Sequence, residues 1–106
     1  MTDKDNLVEK LLSGPEIWNQ WRSLNPTSDR LNLTSVNLSG ANLSGANLSE
    51  ANLSQANLSG ANLSGALLYA ACLTQANLNR ANLSSALLNG AMFTLADLSS
   101  ALFELR

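Results

Sequence analysis

Few side chains in this sequence are able to do chemistry, and their spacing serves something else. Histidine, the commonest general base, is absent. Serine is abundant, but between residues 31 and 105 it keeps to the two phrase positions after the centre, with no base beside it to activate its hydroxyl. The acids of that stretch are Glu50, Asp97 and Glu104, which form neither a general acid–base pair nor a metal cluster. The single cysteine, Cys72, rules out an internal disulfide. No positive residue stands near it in sequence to lower its pKa, so it reads as a small apolar filler rather than a reactive thiol. No catalytic residue, metal ligand or cofactor site is expected.

What spaces these residues is a five-residue phrase, written fifteen times from Leu31 to Leu105. Its purest copies are Ala41-Asn42-Leu43-Ser44-Gly45 and Ala46-Asn47-Leu48-Ser49-Glu50. Leu holds the central position thirteen times, and Phe93 and Phe103 take the other two. Ala stands two residues earlier in every phrase from Ala41 to Ala101, with Leu31 and Val36 in the first two. Such a period must be read before anything else, because it dictates the architecture. At about 100° per residue a helix would scatter successive Leu by about 140°. In an extended chain Ala and the central Leu share one face and the residue between them points away. Five is odd, so the pattern holds only if the chain turns a corner once per phrase. Gly40, Gly45, Gly60, Gly65 and Gly90 stand at that corner, where the third residue of a type II turn needs φ > 0. Glu50, Gln55, Gln75, Arg80 and Ser85 stand there elsewhere, and are expected to use another turn type or to carry strain. Coils stacked at about 4.8 Å would place Leu on the axis and Ala at the walls. The spacing leaves three or four sides per coil open.

The gapless Ala-Asn-Leu-Ser-Gly phrases closely resemble the pentapeptide repeat family, whose pattern is A(D/N)LXX. The resemblance covers 31–105. It implies an all-β solenoid, a right-handed quadrilateral β-helix in which fifteen phrases make three and three-quarter coils. Residues twenty apart would then stack in columns, and stacked Asn would bond to one another or to neighbouring backbone as a ladder.

Residues 1–30 differ in kind. Leu7, Val8, Leu11 and Leu12 recur at helical spacing behind Asp3 and Asp5, acids that favour a helix start. Ser13-Gly14-Pro15 ends that segment and opens another, which Asn25-Pro26 stops. Two helices are expected, about 4–12 and 15–23, with Ile17, Trp18, Trp21 and Leu24 along one face of the second. Their expected task is to cap the exposed edge and Leu cross-section of the first coil, within one structural domain formed with 31–106.

Surface chemistry narrows the functions. The net charge is −2, with no basic cluster to hold phosphates, so nucleic-acid binding is not expected. No run reaches the length of a membrane span, and Met1–Lys10 lacks the plan of a signal peptide, so a cytoplasmic address is expected. Some pentapeptide repeat proteins bind DNA gyrase as mimics of duplex DNA. Here only three acids stand against Arg80 in a stretch about 18 Å long, which disfavours that reading. Ice or surface binding through Ser and Asn arrays is a further alternative, weakened because Thr follows the centre only at 34, 74 and 94. A structural or protein-interaction module fits best. Its expected interface is where the outward Asn fails: Leu67, Cys72, Leu87 and Met92, with Tyr69 and Leu95 beside them. Only Arg106 follows the last phrase, so Leu102, Phe103 and Leu105 are expected to form an open end that pairs with an unidentified protein, or with a second copy as a homodimer.

Overall fold

The computed structural model describes residues 2–104, so Leu105 lies outside the described residues. From residue 31 onward the backbone obeys one local rule. The fifth residue of each phrase from Ser35 to Ser100 has positive φ, between 55° and 74°. The Ala that follows donates its N–H to the C=O of the preceding central residue, as Ala41 does to Leu38 at 3.1 Å and Ala61 to Leu58 at 3.0 Å. Positive φ at the third turn residue with a first-to-fourth bond is the type II signature. Glu50, Gln55, Gln75, Arg80 and Ser85 share it, with φ of 60–63°. No second turn type is used at these corners. Each non-glycine accepts the left-handed region at a cost of roughly 1–2 kcal/mol, held there by the cross-coil bonds on either side.

Parallel bridges join residues twenty apart: Asn32, Asn52, Cys72 and Met92 in one column, and Asn37, Asn57, Asn77 and Asp97 in the next. Asn42, Asn62, Asn82 and Leu102 form a third, and Asn47, Leu67 and Leu87 a fourth. Four phrases therefore make one coil. Each side has only about three residues between corners, so pairing is confined to isolated bridges and no run of strand forms among the described residues. The bonds between coils are short, as in Leu53 N–H to Cys72 O at 2.7 Å and Asn52 N–H to Leu31 O at 2.8 Å. Inside, the centres from Leu33 to Leu83 and the Ala walls from Ala46 to Ala81 are fully or almost fully buried. Leu88, Phe93 and Leu98 in the last coil are only half-buried.

Two helices precede the coils. α1 (Asp3–Leu12) starts on a capping box: Thr2 Oγ1 accepts from the Asp5 N–H at 3.1 Å, and Asp5 Oδ2 accepts from the Thr2 N–H at 3.2 Å. α2 (Pro15–Leu24) begins at proline, whose missing N–H costs nothing at a first turn. Leu11 and Trp18 are fully buried, and Leu7, Val8 and Trp21 pack partly against the core. The expected face of α2 is rotated. Ile17 and Leu24 are 52% and 79% exposed and lie outside the buried core. Hydrogen bonding sets the rotation, because Trp18, Asn19 and Arg22 turn toward unpaired backbone of the first coil. Trp18 Nε1 donates to Asn47 O at 2.8 Å, and Arg22 donates to Asn47 O at 3.0 Å and Ser49 O at 3.3 Å. Asn19 brackets the same site, donating to Gly45 O at 3.0 Å and accepting from the Asn47 N–H at 2.7 Å. Burial lowers the Arg22 pKa, and the Glu50 charge opposes that shift.

Candidate functional site

The outward position before each centre decides what the coils show to their surroundings. Where it is Asn, its Oδ1 accepts the N–H two residues on: Asn37 from Ser39 at 3.1 Å, Asn57 from Ser59 at 3.0 Å, Asn82 from Ser84 at 3.0 Å. This is a side chain closing a local turn. In the interior coils it completes the phrase, since the other four N–H groups go to the turn and to neighbouring coils. The Asn columns are thus ladders to each phrase's own backbone, and no Asn bonds to another within a column among the described residues. Asp97 does the same job for the Ser99 N–H at 2.9 Å. Its carboxyl is held below the usual range by the Ser99 hydroxyl first and the Ser99 N–H second.

The exceptions fall together. Leu67 bridges Leu87 on one face, and Cys72 bridges Met92 on the adjacent face. Leu67 and Cys72 are half-buried, while Tyr69, Leu87 and Met92 are about two-fifths exposed, at 41%, 39% and 43%. Leu95 stands at a corner, 77% exposed. Leu102 and Phe103 are exposed as well, Leu102 on the face shared with Asn82. Without Asn, the N–H groups of Tyr69, Asn89 and Thr94 find no acceptor among the described residues. A full backbone closure has been exchanged for apolar surface at these positions.

Cys72 has polar neighbours that its sequence surroundings do not show. Its Sγ lies 3.1 Å from Ser54 Oγ and 3.4 Å from Thr74 Oγ1. The Ser54 hydrogen bond, then those with the Thr74 hydroxyl and N–H, pull the thiol pKa down, with a smaller contribution from Arg30. Sulfur here takes the place of the Asn oxygen. Arg30 itself binds two corners, donating from Nη1 to Glu50 O at 3.1 Å and Ala70 O at 2.6 Å.

Sequence reasoning missed Lys4, Asn19, Arg22 and Arg30, all of which bond to coil backbone. The signal was present but indirect: a solenoid end needs donors for its unpaired C=O groups, and these are polar side chains on the helices and the linker that precede it. No group of three or more His, Cys, Asp or Glu is placed to hold a metal among the described residues. Nor is any helix among them long and apolar enough to cross a membrane.

A stack of twenty-residue coils with one left-handed corner every five residues defines a pentapeptide-repeat β-solenoid. The family of pentapeptide repeats, in 8 copies, matches residues 32–68 and 66–104, and the chain belongs to that family. Among solved structures it is similar to a pentapeptide repeat protein from the thylakoid lumen of Arabidopsis thaliana, 25% identical, with a TM-score of 0.55. That match covers 73% of this chain and 70% of the other. A pentapeptide repeat protein of Nostoc PCC 7120 is 31% identical over 92% of this chain and 72% of its own, with a TM-score of 0.45. HetL of Nostoc sp. strain PCC 7120, involved in heterocyst differentiation regulation, is 38% identical over 70% of this chain and 41% of its own, with a TM-score of 0.30. No curated protein matches.

Proposed function

We propose that this chain is a non-enzymatic protein-interaction module. In this reading residues 31–106 form a right-handed, four-sided β-helix, residues 1–30 cap it within one domain, and the lower coils dock a protein. The carrying observation is the clustering of the outward apolar residues. None occurs in the first coil, and Leu67, Leu87, Cys72 and Met92 occupy two adjacent faces below it. A contiguous apolar patch on coil faces otherwise lined by Asn and Ser marks an interface more often than drift does. The acids of the repeats stay scattered and give no row of charge to imitate phosphates, which favours this reading over a gyrase-binding one. A cytoplasmic location is part of the proposal and rests on composition alone.

The test is comparative. Leu87→Asn/Met92→Asn restores the phrase pattern, and with it an acceptor for the N–H groups of Asn89 and Thr94, so the variant keeps its fold. Proteins retained by the wild type and lost by this variant support docking at the patch; identical retention refutes it. A second reading, self-association through the last coil, is favoured by Phe103 and Leu102 at 46% and 44% exposure. Sedimentation separates the two: a dimer abolished only by Phe103→Ser is end-on, and one abolished only by the double variant is lateral.

A further inference from the structure

Successive coils bond in a fixed register. The Asn52 N–H donates to Leu31 O at 2.8 Å, while Asn52 O and Ser54 O accept from the N–H groups of Leu33 and Ser35 at 2.8 and 2.9 Å. In the first coil the same groups of every phrase face the helices instead of a coil. On 46–50 they are satisfied by side chains, and the Asn19 carboxamide stands in for a peptide unit, accepting from the Asn47 N–H and donating to Gly45 O. On 31–35 Lys4 Nζ donates to Thr34 O at 2.8 Å. On 36–40 and 41–45 nothing replaces the missing neighbour. The N–H and C=O of Asn37 and Asn42, and the C=O of Ser39 and Ser44, have no partner among the described residues.

The helices stand off from these two edges. A groove of about 440 Å³ runs between Asn37 and α1, walled by Val8 and Val36 and bordered by Asp5 and Glu9. A second, of about 420 Å³, runs between Asn42 and the start of α2, walled by Pro15 and Ile17 and bordered by Glu16. The plan repeats on consecutive phrases: an unpaired backbone edge, an apolar wall, a carboxylate. The cation of the first groove, Lys4, is already engaged with Thr34.

We propose that this upper edge is a strand-addition site for a basic, extended peptide segment of a partner protein. A polypeptide backbone supplies the matching set, a C=O for the Asn37 or Asn42 N–H and N–H groups two and four residues later for the C=O groups, in the register that coil one already uses on coil two. Strand addition draws its affinity from such main-chain bonds and its selectivity from the side chains beside them. The carboxylates of Glu9 and Glu16, unpartnered among the described residues, select positive charge and repel a nucleic-acid backbone. The site is separate from the apolar columns of the lower coils and stands or falls independently of them.

The experiment follows backbone amides in the full, ¹⁵N-labelled chain. The ligand used is the capped decapeptide Ala-Lys-Leu-Lys-Gly-Ala-Lys-Leu-Lys-Gly, with the same peptide carrying Glu for Lys as comparison. Saturating basic peptide should slow hydrogen exchange at Asn37 and Asn42 by roughly tenfold, in proportion to about one net hydrogen bond each. Asn47, already bonded to Asn19, should not change. Glu9→Lys/Glu16→Lys, whose fold is checked by circular dichroism, should weaken the effect several-fold, and Leu87→Asn/Met92→Asn should leave it intact. Unchanged exchange at Asn37 and Asn42, equal protection by the acidic peptide, or perturbations confined to Leu67–Met92 would each overturn the proposal.

Discussion

The asparagine columns make a quantitative claim that one residue can test. Asn57 sits mid-stack between Asn37 and Asn77, and its Oδ1 accepts both the Ser59 N–H at 3.0 Å and the Ser59 hydroxyl at 2.7 Å. Asn57→Leu copies what the chain itself does at position 67. The hydroxyl rotates to water, but the half-buried N–H loses its only acceptor, at a cost of about 1–2 kcal/mol. The new side chain, on an outward position, recovers little of this by burial. In a domain of this size the melting temperature should fall by roughly 4–8 °C per kcal/mol. Asn57→Asp separates the bond from the side chain's shape, because a carboxylate at that position accepts in the same way, as Asp97 shows. Accepting the bond depresses the folded pKa of such a carboxyl. Its stabilisation is therefore present above the unfolded value of about 3.9 and disappears as pH falls through the lower, folded one. Asn57→Asp should match the wild type at pH 7 and weaken only in acid. Urea midpoints at pH 7 and pH 3 decide the matter. A wild-type midpoint for Asn57→Leu, or an Asp variant as weak as Leu at pH 7, would show that the side-chain closure contributes nothing.

Other predictions concern the inside, the corners and the thiol. Leu73→Ala, fully buried at the centre of the stack, should lose about 2–5 kcal/mol in denaturant titration, and Ser64→Ala, whose hydroxyl makes no bond, less than about 0.5. Equal losses would mean that inside and outside are misassigned. Gln55→Gly, at φ 62°, should raise stability by about 0.5–1 kcal/mol by relieving the left-handed corner, read from the same titrations, provided its bond to Gln75 at 3.1 Å matters less. Cys72 should react with a thiol reagent along a pH profile displaced below that of free cysteine, and Ser54→Ala should move the profile back up, since the Ser54 bond is the largest cause of the shift. An unmoved profile would dismiss that cause.

Much of this could be read from the sequence, and the failures share a cause. Leu at thirteen of the fifteen centres, with Ala two before it from Ala41 onward, predicted the inside and the stacking, because a period of five admits few other solutions. The corners at Glu50 and Gln55 were less legible. Local propensity argues against positive φ there, while the bonds to the coil below, such as Glu50 N–H to Tyr69 O at 2.7 Å, overrule it. The second helix was placed correctly and rotated wrongly, since an apolar stripe through Ile17 and Leu24 competes with Arg22 reaching for Asn47 O. That competition is visible only once the coil edge exists. The polar contacts of Cys72 were hidden for the same reason: Ser54 lies 18 positions away in sequence and one coil away in space.

The left-handed corner after every fifth residue also sets a rule for how this molecule can change length. Each phrase closes its own corner and its own side-chain turn, so a phrase can be gained or lost without tearing local structure. Twenty residues separate bridged partners, however, and a single added phrase below coil one would swing every later column round by one face. Leu67 and Leu87 would then leave the face that carries Asn47, where α2 is anchored, and the apolar surface would point elsewhere relative to the helices. Only insertions of whole coils keep the two in the same direction. Duplicated segments of this chain should therefore preserve binding in steps of twenty residues and redirect it in steps of five, giving a molecular protractor whose readings are quantised in quarter turns.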